Sequence, residues 1–261
     1  MIALTKRSVS WVSSWAVALV VCAGTVGGAA APAVAACGDA VGPRVDWSGC
    51  SKRNLLLSGT DLSGVVFART AITSTDFRKS KLTGANLSGA DITFSRFDDA
   101  DLTEADLTKT IGWQASFRKA QLGKAKLGMA QISRGSFKEA SLAGAVLAKA
   151  ELNRADFSAA DLTGADISKA ELPRVNFAGA KLEGVDFRFS NLARARLEGL
   201  DLAGVKMGGA YLFLTQFDRA DLSKTEGLRQ EQLDIACGTR ETKLPPGLKA
   251  PKTWPCAGDD E

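Results

Sequence analysis

The cysteines are the residues of this chain whose type and spacing most directly indicate chemistry. Four of its five cysteines form two local pairs near the two ends, Cys37 with Cys50 and Cys237 with Cys256. Four cysteines permit three connectivities, and the simplest joins each local pair. Each such disulfide would stabilise the fold by roughly 3 kcal/mol in the chain-entropy model. Both bonds would require an oxidising compartment.

Lipid attachment is the alternative chemistry for Cys37. The segment Val34-Ala35-Ala36-Cys37 is similar to a bacterial lipobox. Lipidation would leave Cys50 without a partner and would anchor the chain to a membrane. We favour the disulfide and keep the lipoprotein as the alternative.

Catalytic and metal-binding chemistry has little support in the sequence. The chain contains no histidine, which excludes histidine-dependent nucleophiles, general bases and metal ligands. It also contains no phosphate-binding loop, no nucleotide fingerprint and no closely spaced cysteine metal pair. The many Asp and Glu residues offer no preferred acid–base pair. We therefore expect no catalytic residue, no cofactor, no metal site and no enzymatic activity.

Residues 1–36 have the pattern of a secretory signal. Lys6 and Arg7 precede an apolar run from Trp15 to Gly24, and small residues from Ala33 to Ala36 offer a cleavage site. The run is short for a membrane span, although an uncleaved N-terminal anchor is the alternative. We expect an exported chain, periplasmic or secreted. Cleavage would remove two of the basic residues and lower the formal charge from +4 to +2.

Large apolar residues recur every five positions along most of the chain. From Leu57 to Leu222, 33 of 34 such positions hold one, and Gly112 is the exception. The residue two positions before each is small except at Leu55 and Leu200, and the other three are mostly polar. This period fits neither an α-helix nor a flat strand. It indicates a solenoid whose units each turn one large and one small residue inward.

A second period, of 20 residues, predicts how the units stack. Like residues recur at every fourth unit, so that each coil has four units and the tube has four sides. Each coil buries its apolar residues only against the next. The predicted core stack comprises a phenylalanine column and a leucine column: Phe77, Phe97, Phe117, Phe137, Phe157, Phe177 and Phe217, with Leu62, Leu82, Leu102, Leu122, Leu142, Leu162, Leu182, Leu202 and Leu222.

Several units have the sequence Ala, then Asp or Asn, then Leu, followed by two variable residues. They include Ala85-Asn86-Leu87, Ala100-Asp101-Leu102, Ala105-Asp106-Leu107, Ala160-Asp161-Leu162 and Ala220-Asp221-Leu222. These units resemble the motif of the pentapeptide-repeat family. The resemblance covers most of the chain between its two ends. It implies an all-β fold, a right-handed quadrilateral parallel β-helix. The handedness rests on the resemblance alone.

The ends of such a helix need caps, because unpaired strand edges invite polymerisation. We expect Trp47 to plug the first coil and the segment from Thr225 to Ala236 to be helical. The chain is thus divided into a signal peptide at 1–36, an N-terminal disulfide cap at 37–56, the repeat β-helix at 57–224 and a partly helical C-terminal cap with a disulfide at 225–261.

Gly112 is the one interruption of the apolar columns. We expect the core to tolerate the gap by repacking, with Ile111 or Trp113 filling it through a local bulge. A kink or loop that marks a binding site is the alternative.

The surface of the phenylalanine side carries charges that alternate in sign from coil to coil. Cross-coil charge pairing is the expected role, and recognition of an anionic partner is the alternative. The residues are Arg78-Lys79, Asp98-Asp99, Arg118-Lys119 and Lys138-Glu139.

The function that we expect is that of a non-enzymatic scaffold or protein-binding module of the bacterial cell envelope, with a protein partner. A membrane would be involved only through a lipid on Cys37 or an uncleaved signal. The family resemblance implies an alternative, since some relatives mimic DNA and act on DNA gyrase. Mimicry requires strongly negative faces, which a charge of +2 disfavours, so nucleic acid is not an expected partner.

Overall fold

Each five-residue unit of the repeat forms one flat side and one corner of a square coil. In the computed structural model, which describes residues 37–256, the N–H of Ala85 donates to the carbonyl of Leu82 at 2.9 Å. This bond closes a turn whose second central residue has positive φ, 64° at Gly84 and 58° at Lys79. The same sign recurs in every unit from Arg44 to Arg219. Positive φ at this position is typical of a type II turn.

Parallel contacts between residues 20 positions apart join successive coils. They begin with Asp46 and Val66 and continue in this register to Lys206 and Glu226. Within residues 37–256 they are single-residue bridges, and no continuous strand forms. The sequence prediction of an all-β solenoid with four units per coil is confirmed in this arrangement.

The predicted phenylalanine and leucine columns fill the inside of the tube. All 16 of their residues are buried. Between Phe77 and Phe97 the ring centroids are 4.8 Å apart and the ring planes differ by 6°. Leu197 interrupts the phenylalanine column. Phe177, which precedes it in the column, makes an edge contact with Phe187, and their ring centroids are 5.7 Å apart.

The core repacks around Gly112 as expected, because the gap is filled from within the column, but the predicted bulge of Ile111 or Trp113 does not form. Ile111 keeps the 20-residue register, and its side chain and that of Trp113 remain exposed. A Cβ atom on Gly112 would lie 3.0 Å from Cγ1 of Ile92 and 3.2 Å from Cγ1 of Ile132. The two isoleucines therefore occupy the space that a larger residue would need.

The N-terminal cap belongs to the solenoid itself. Asp46 already bridges Val66, so the coil begins before the predicted boundary at residue 57. Trp47 is buried, with its ring centroid 5.7 Å from that of Phe67. A disulfide joins Cys37 to Cys50, whose Cα atoms are 5.7 Å apart. The predicted secretory signal at 1–36 lies outside the described residues.

The C-terminal cap has much less helix than the sequence suggested. Helix α1 spans only Gln230–Leu233, because Glu226 still bridges Lys206 and extends the coil beyond residue 224. After the helix the tail lies along the last coil, where Cys237 and Lys243 form further parallel bridges. A second disulfide joins Cys237 to Cys256.

Within residues 37–256 no helix is both long and apolar enough to cross a membrane.

Candidate binding surfaces

The Asp and Asn residues that precede the large residue of each unit have a structural role. The backbone hydrogen bonds of the coils leave one N–H of each such unit unpaired, that of the first central residue of the turn. In one unit this is the N–H of Thr108, which donates to Oδ1 of Asp106 at 2.9 Å. All fifteen Asp and Asn residues at this position make the same bond: Asp46, Asp61, Asp76, Asn86, Asp91, Asp101, Asp106, Asp156, Asp161, Asp166, Asn176, Asp186, Asn191, Asp201 and Asp221. These bonds complete the backbone hydrogen bonding of the turns.

The hydrogen bonds also stabilise the charged form of several of these carboxylates. The Thr163 hydroxyl and N–H hold the pKa of Asp161 below its ordinary value, with a contribution from Lys181. At Asp221 the ammonium of Lys243 contributes most, and together with the hydroxyl and N–H of Ser223 it lowers the pKa to about 2. These groups stay ionised near neutral pH, which does not suit a general acid.

Charge pairing on the phenylalanine side is partly of the predicted kind. Lys119 and Glu139 pair across two coils at 3.6 Å. Arg78 instead pairs with Asp76 of its own coil at 2.6 Å, and Asp98 accepts hydrogen bonds from the next coil. Four of these eight charges therefore form ion pairs, namely Arg78, Lys119, Glu139 and Asp98, the last with Arg96 at 3.4 Å.

One corner of the tube carries four consecutive cations, which we call the arginine edge: Arg134, Arg154, Arg174 and Arg194. All four side chains are exposed. The N–H of Arg134 donates to the Asn153 carbonyl at 2.8 Å, and the equivalent bond recurs at the other three, so each arginine lies beside the next. Within residues 37–256 none of the four guanidinium groups forms an ion pair or a side-chain hydrogen bond.

The carboxylates on the two sides that meet at this corner bind amide groups instead of the arginines. Glu151 accepts a hydrogen bond from Gln131 at 3.2 Å, and Glu171 accepts one from Asn191 at 2.7 Å. On the other side Asp156 accepts one from Asn176 at 3.0 Å. The arrangement leaves the guanidinium groups open to an external anion.

Exposed aromatic rings lie beyond the N-terminal end of the arginine edge, on the same corner. Phe94 and Trp113 are both exposed, and their rings make an edge contact with centroids 5.0 Å apart. Gln114 lies between Phe94 and Arg134 in the column of the corner, and Trp113 precedes Gln114 in the same coil. The corner thus offers an apolar surface next to a row of positive charge.

A second group of exposed apolar side chains, the aromatic patch, lies near the C-terminal cap and comprises Phe189, Tyr211, Phe213 and Ile235. The rings of Tyr211 and Phe213 are nearly parallel at 6.2 Å. Phe189 covers Gly209, where a Cβ atom would lie 2.7 Å from its ring. A cavity of about 310 Å³ separates Tyr211 from Ile235 and the cap helix.

Both surfaces escaped the sequence analysis. The predicted site residues, namely the four cysteines and the two core columns, are all structural, and the structure places them at the ends and in the core. The arginine edge has a signal in the sequence, because its four residues are 20 positions apart. The aromatic patch has none, since Ile235 belongs to the cap and lies outside the repeat.

Comparisons with known proteins agree with the fold. A family model described as a pentapeptide repeat region matches residues 130–207, and a model of eight pentapeptide repeats matches residues 53–89 and 95–128. No curated protein sequence matches the chain.

Solved structures of repeat proteins resemble the chain over most of its length. QnrB1, a plasmid-mediated fluoroquinolone resistance protein, is 21% identical, with a TM-score of 0.51 over 74% of this chain and 91% of that chain. HetL of the cyanobacterium Nostoc sp. strain PCC 7120, involved in the regulation of heterocyst differentiation, is 27% identical over 75% of this chain and 90% of that chain, with a TM-score of 0.35. The likeness to QnrB1 concerns the fold alone. Together with the matches to the family models, the repeated five-residue units establish that this chain belongs to the pentapeptide-repeat family.

Proposed function

We propose that this pentapeptide-repeat protein is a non-enzymatic scaffold or protein-binding module of the bacterial cell envelope, and that its aromatic patch holds a protein partner. The observation that carries the proposal is the exposure of Phe189, Tyr211, Phe213 and Ile235 near the C-terminal cap, where Tyr211 and Ile235 line a cavity of about 310 Å³. Contiguous exposed apolar surface is typical of interaction sites. Tyrosine in particular is enriched among residues that dominate binding energy.

The backbone beneath the patch favours tight binding. The N–H of Tyr211 donates to the Ser190 carbonyl at 2.8 Å, and that of Leu214 donates to the Ile235 carbonyl at 2.7 Å. The patch is thus held by the coil stack on one side and by the cap on the other. A preformed surface loses little conformational entropy when a partner binds.

The proposed location follows from the two disulfides. Cys37 with Cys50 and Cys237 with Cys256 lie within bonding distance at the two ends of the solenoid, and such bonds persist in oxidising compartments. An exported protein, periplasmic or secreted, fits this chemistry. The right-handed sense of the coil, which the family resemblance implies, is part of the same proposal.

Affinity capture from a periplasmic extract tests the protein-binding role. The bait is the purified chain with both disulfides formed, beside a patch variant, Tyr211→Ser with Phe213→Ser. Leu56→Ser is the matched control, because it removes an exposed apolar side chain at the far end of the solenoid. We expect a partner that wild type and control capture equally and the patch variant loses. Identical capture by all three proteins would contradict the proposal.

DNA mimicry is the alternative function, and the surface disfavours it. A mimic of the DNA backbone needs rows of negative charge, whereas the arginine edge is positive. A gyrase supercoiling assay with the purified chain decides the matter, and we expect no inhibition and no protection.

A further inference from the structure

We propose that the arginine edge is a second binding site, independent of the protein partner, and that it binds a linear acidic polysaccharide. The four arginines occupy one column of the corner, and their Cα atoms span three coil steps, roughly 14 Å at the usual spacing of about 4.8 Å. A guanidinium group binds a carboxylate through two parallel hydrogen bonds. A polymer that carries a carboxylate on each sugar unit therefore offers several such contacts along one line.

The stability of the fold does not explain the row. Like charges directly opposite one another on neighbouring strands are destabilising, and Arg134, Arg154, Arg174 and Arg194 are neighbours in this sense. The carboxylates of the flanking sides bind Gln131, Asn176 and Asn191 instead. An anionic ligand would relieve the repulsion, which provides a driving force for binding.

The choice of a polysaccharide rests on two further observations. The disulfides at both ends indicate an oxidising compartment outside the cytoplasm. Acidic polysaccharides occur in such compartments, whereas nucleic acid is not resident there. Phe94 and Trp113 then add exposed rings to the same corner. The electron-rich faces of such rings attract the slightly positive C–H groups of a sugar, while the row binds its carboxylates.

Binding of polygalacturonate to the purified chain, with both disulfides formed, tests the proposal. Neutral dextran and a single-stranded oligo-dT serve as comparison probes. We expect saturable binding of polygalacturonate that weakens with salt, no binding of dextran and weaker binding of oligo-dT. Replacing all four arginines of the edge by glutamine should weaken binding roughly tenfold or more, since a loss of about 1.4 kcal/mol already gives tenfold. Glutamine suits this backbone, because Gln114 occupies the same column with φ of 54°.

A charge-matched control separates the edge from the net charge. This control replaces four lysines that lie on or near the diagonally opposite corner and therefore face away from the edge: Lys81, Lys124, Lys126 and Lys224. None of the four forms an ion pair in the described part of the chain. We expect this variant to bind like wild type. Trp113→Ser should weaken binding at high salt, where the ion pairs are screened and ring stacking contributes more.

Four results would overturn the proposal: no saturable binding of polygalacturonate, equal loss in the lysine control, tighter binding of oligo-dT, or no effect of Trp113→Ser at high salt. Phe189→Ser removes a ring of the aromatic patch that lies on another corner, so this variant should lose the protein partner and bind polygalacturonate normally. Phe213 does not serve for this control, because its carbonyl accepts the N–H of Arg194 on the corner of the arginine edge. Failure of the polysaccharide site and failure of the protein-binding role are therefore distinguishable.

Discussion

Phe137 and Phe157 are 20 residues apart in the sequence, yet their rings lie parallel, with centroids 4.6 Å apart and planes 2° from each other. The 20-residue coil alone produces this contact, because four turns return the chain to the position above its starting point. The same relationship places Phe97 on Phe117 at 5.0 Å and Phe117 on Phe137 at 4.9 Å. Each ring thus stabilises two neighbouring coils.

Truncation of one ring should therefore loosen the stack on both sides. We expect Phe117→Ala to lower the free energy of unfolding by about 3–5 kcal/mol, because it leaves a cavity between Phe97 and Phe137. Phe117→Leu should cost less, since Leu197 occupies the same column in the native chain. Chemical denaturation checks both variants, and an alanine variant as stable as wild type would contradict the stacking.

The carboxylate that completes the turn should matter for its hydrogen-bonding oxygen and not for its charge. Asp106→Ala removes the acceptor of the Thr108 N–H and should cost about 1 kcal/mol. Asp106→Asn keeps an oxygen at the same place, as Asn86 does in its own unit, and should be nearly neutral. A pair of variants with equal losses of stability would argue against this role.

Ile132 links two glycines of the core. A Cβ atom on Gly135 would lie only 2.5 Å from Cγ2 of Ile132, because this side chain leans toward the gap at Gly112. We expect Gly135→Ala to destabilise the fold by about 1–3 kcal/mol. Adding Ile132→Leu removes the branch that clashes and should recover part of the loss. A thermodynamic double-mutant cycle measures the coupling, and strictly additive effects would exclude it.

Acid should weaken the attachment of the C-terminal cap. Lys243 donates to Asp221 at 2.8 Å, and this contact, with the hydroxyl and N–H of Ser223, lowers the pKa of Asp221 from 3.8 to about 2. A carboxyl with a depressed pKa stabilises the folded state above its unfolded pKa, and the contribution disappears as the pH falls toward the folded value.

Between about pH 5 and pH 2 the stability of the wild type should therefore fall more steeply than that of Asp221→Asn. The asparagine variant retains an acceptor for the Ser223 N–H but has no carboxyl to titrate. Denaturation midpoints across this range provide the measurement. Parallel pH profiles of the two proteins would show that the pair contributes nothing.

The repeat was predictable because each unit obeys a local rule. The inward positions, the 20-residue columns and the burial of residues such as Leu62 and Phe217 follow from side-chain size at fixed spacing. The frame continues through Trp47, which is buried in the first coil as expected. Gly112 broke the rule, and its outcome depended on the side-chain conformations of Ile92 and Ile132, which spacing does not specify.

The C-terminal cap was less predictable because it leaves the frame. Gln216 bridges Cys237 and Asp221 bridges Lys243, which are separations of 21 and 22 residues instead of 20. The apolar residues Leu228, Leu233 and Ile235 suggested a longer helix. Contacts with the last coil determine their positions instead, as when Gln232 donates to the carbonyls of Met207 and Ala210 at 2.8 and 2.7 Å.

Nuclear Overhauser effects between phenylalanine rings test the 20-residue coil most directly. In a sample with labelled phenylalanine rings, we expect cross-peaks that link Phe97, Phe117, Phe137 and Phe157 in series, and Phe157→Leu should remove the peak that belongs to Phe137 and Phe157. Absence of contacts between these rings in the folded protein would contradict the coil and the positions of both binding surfaces.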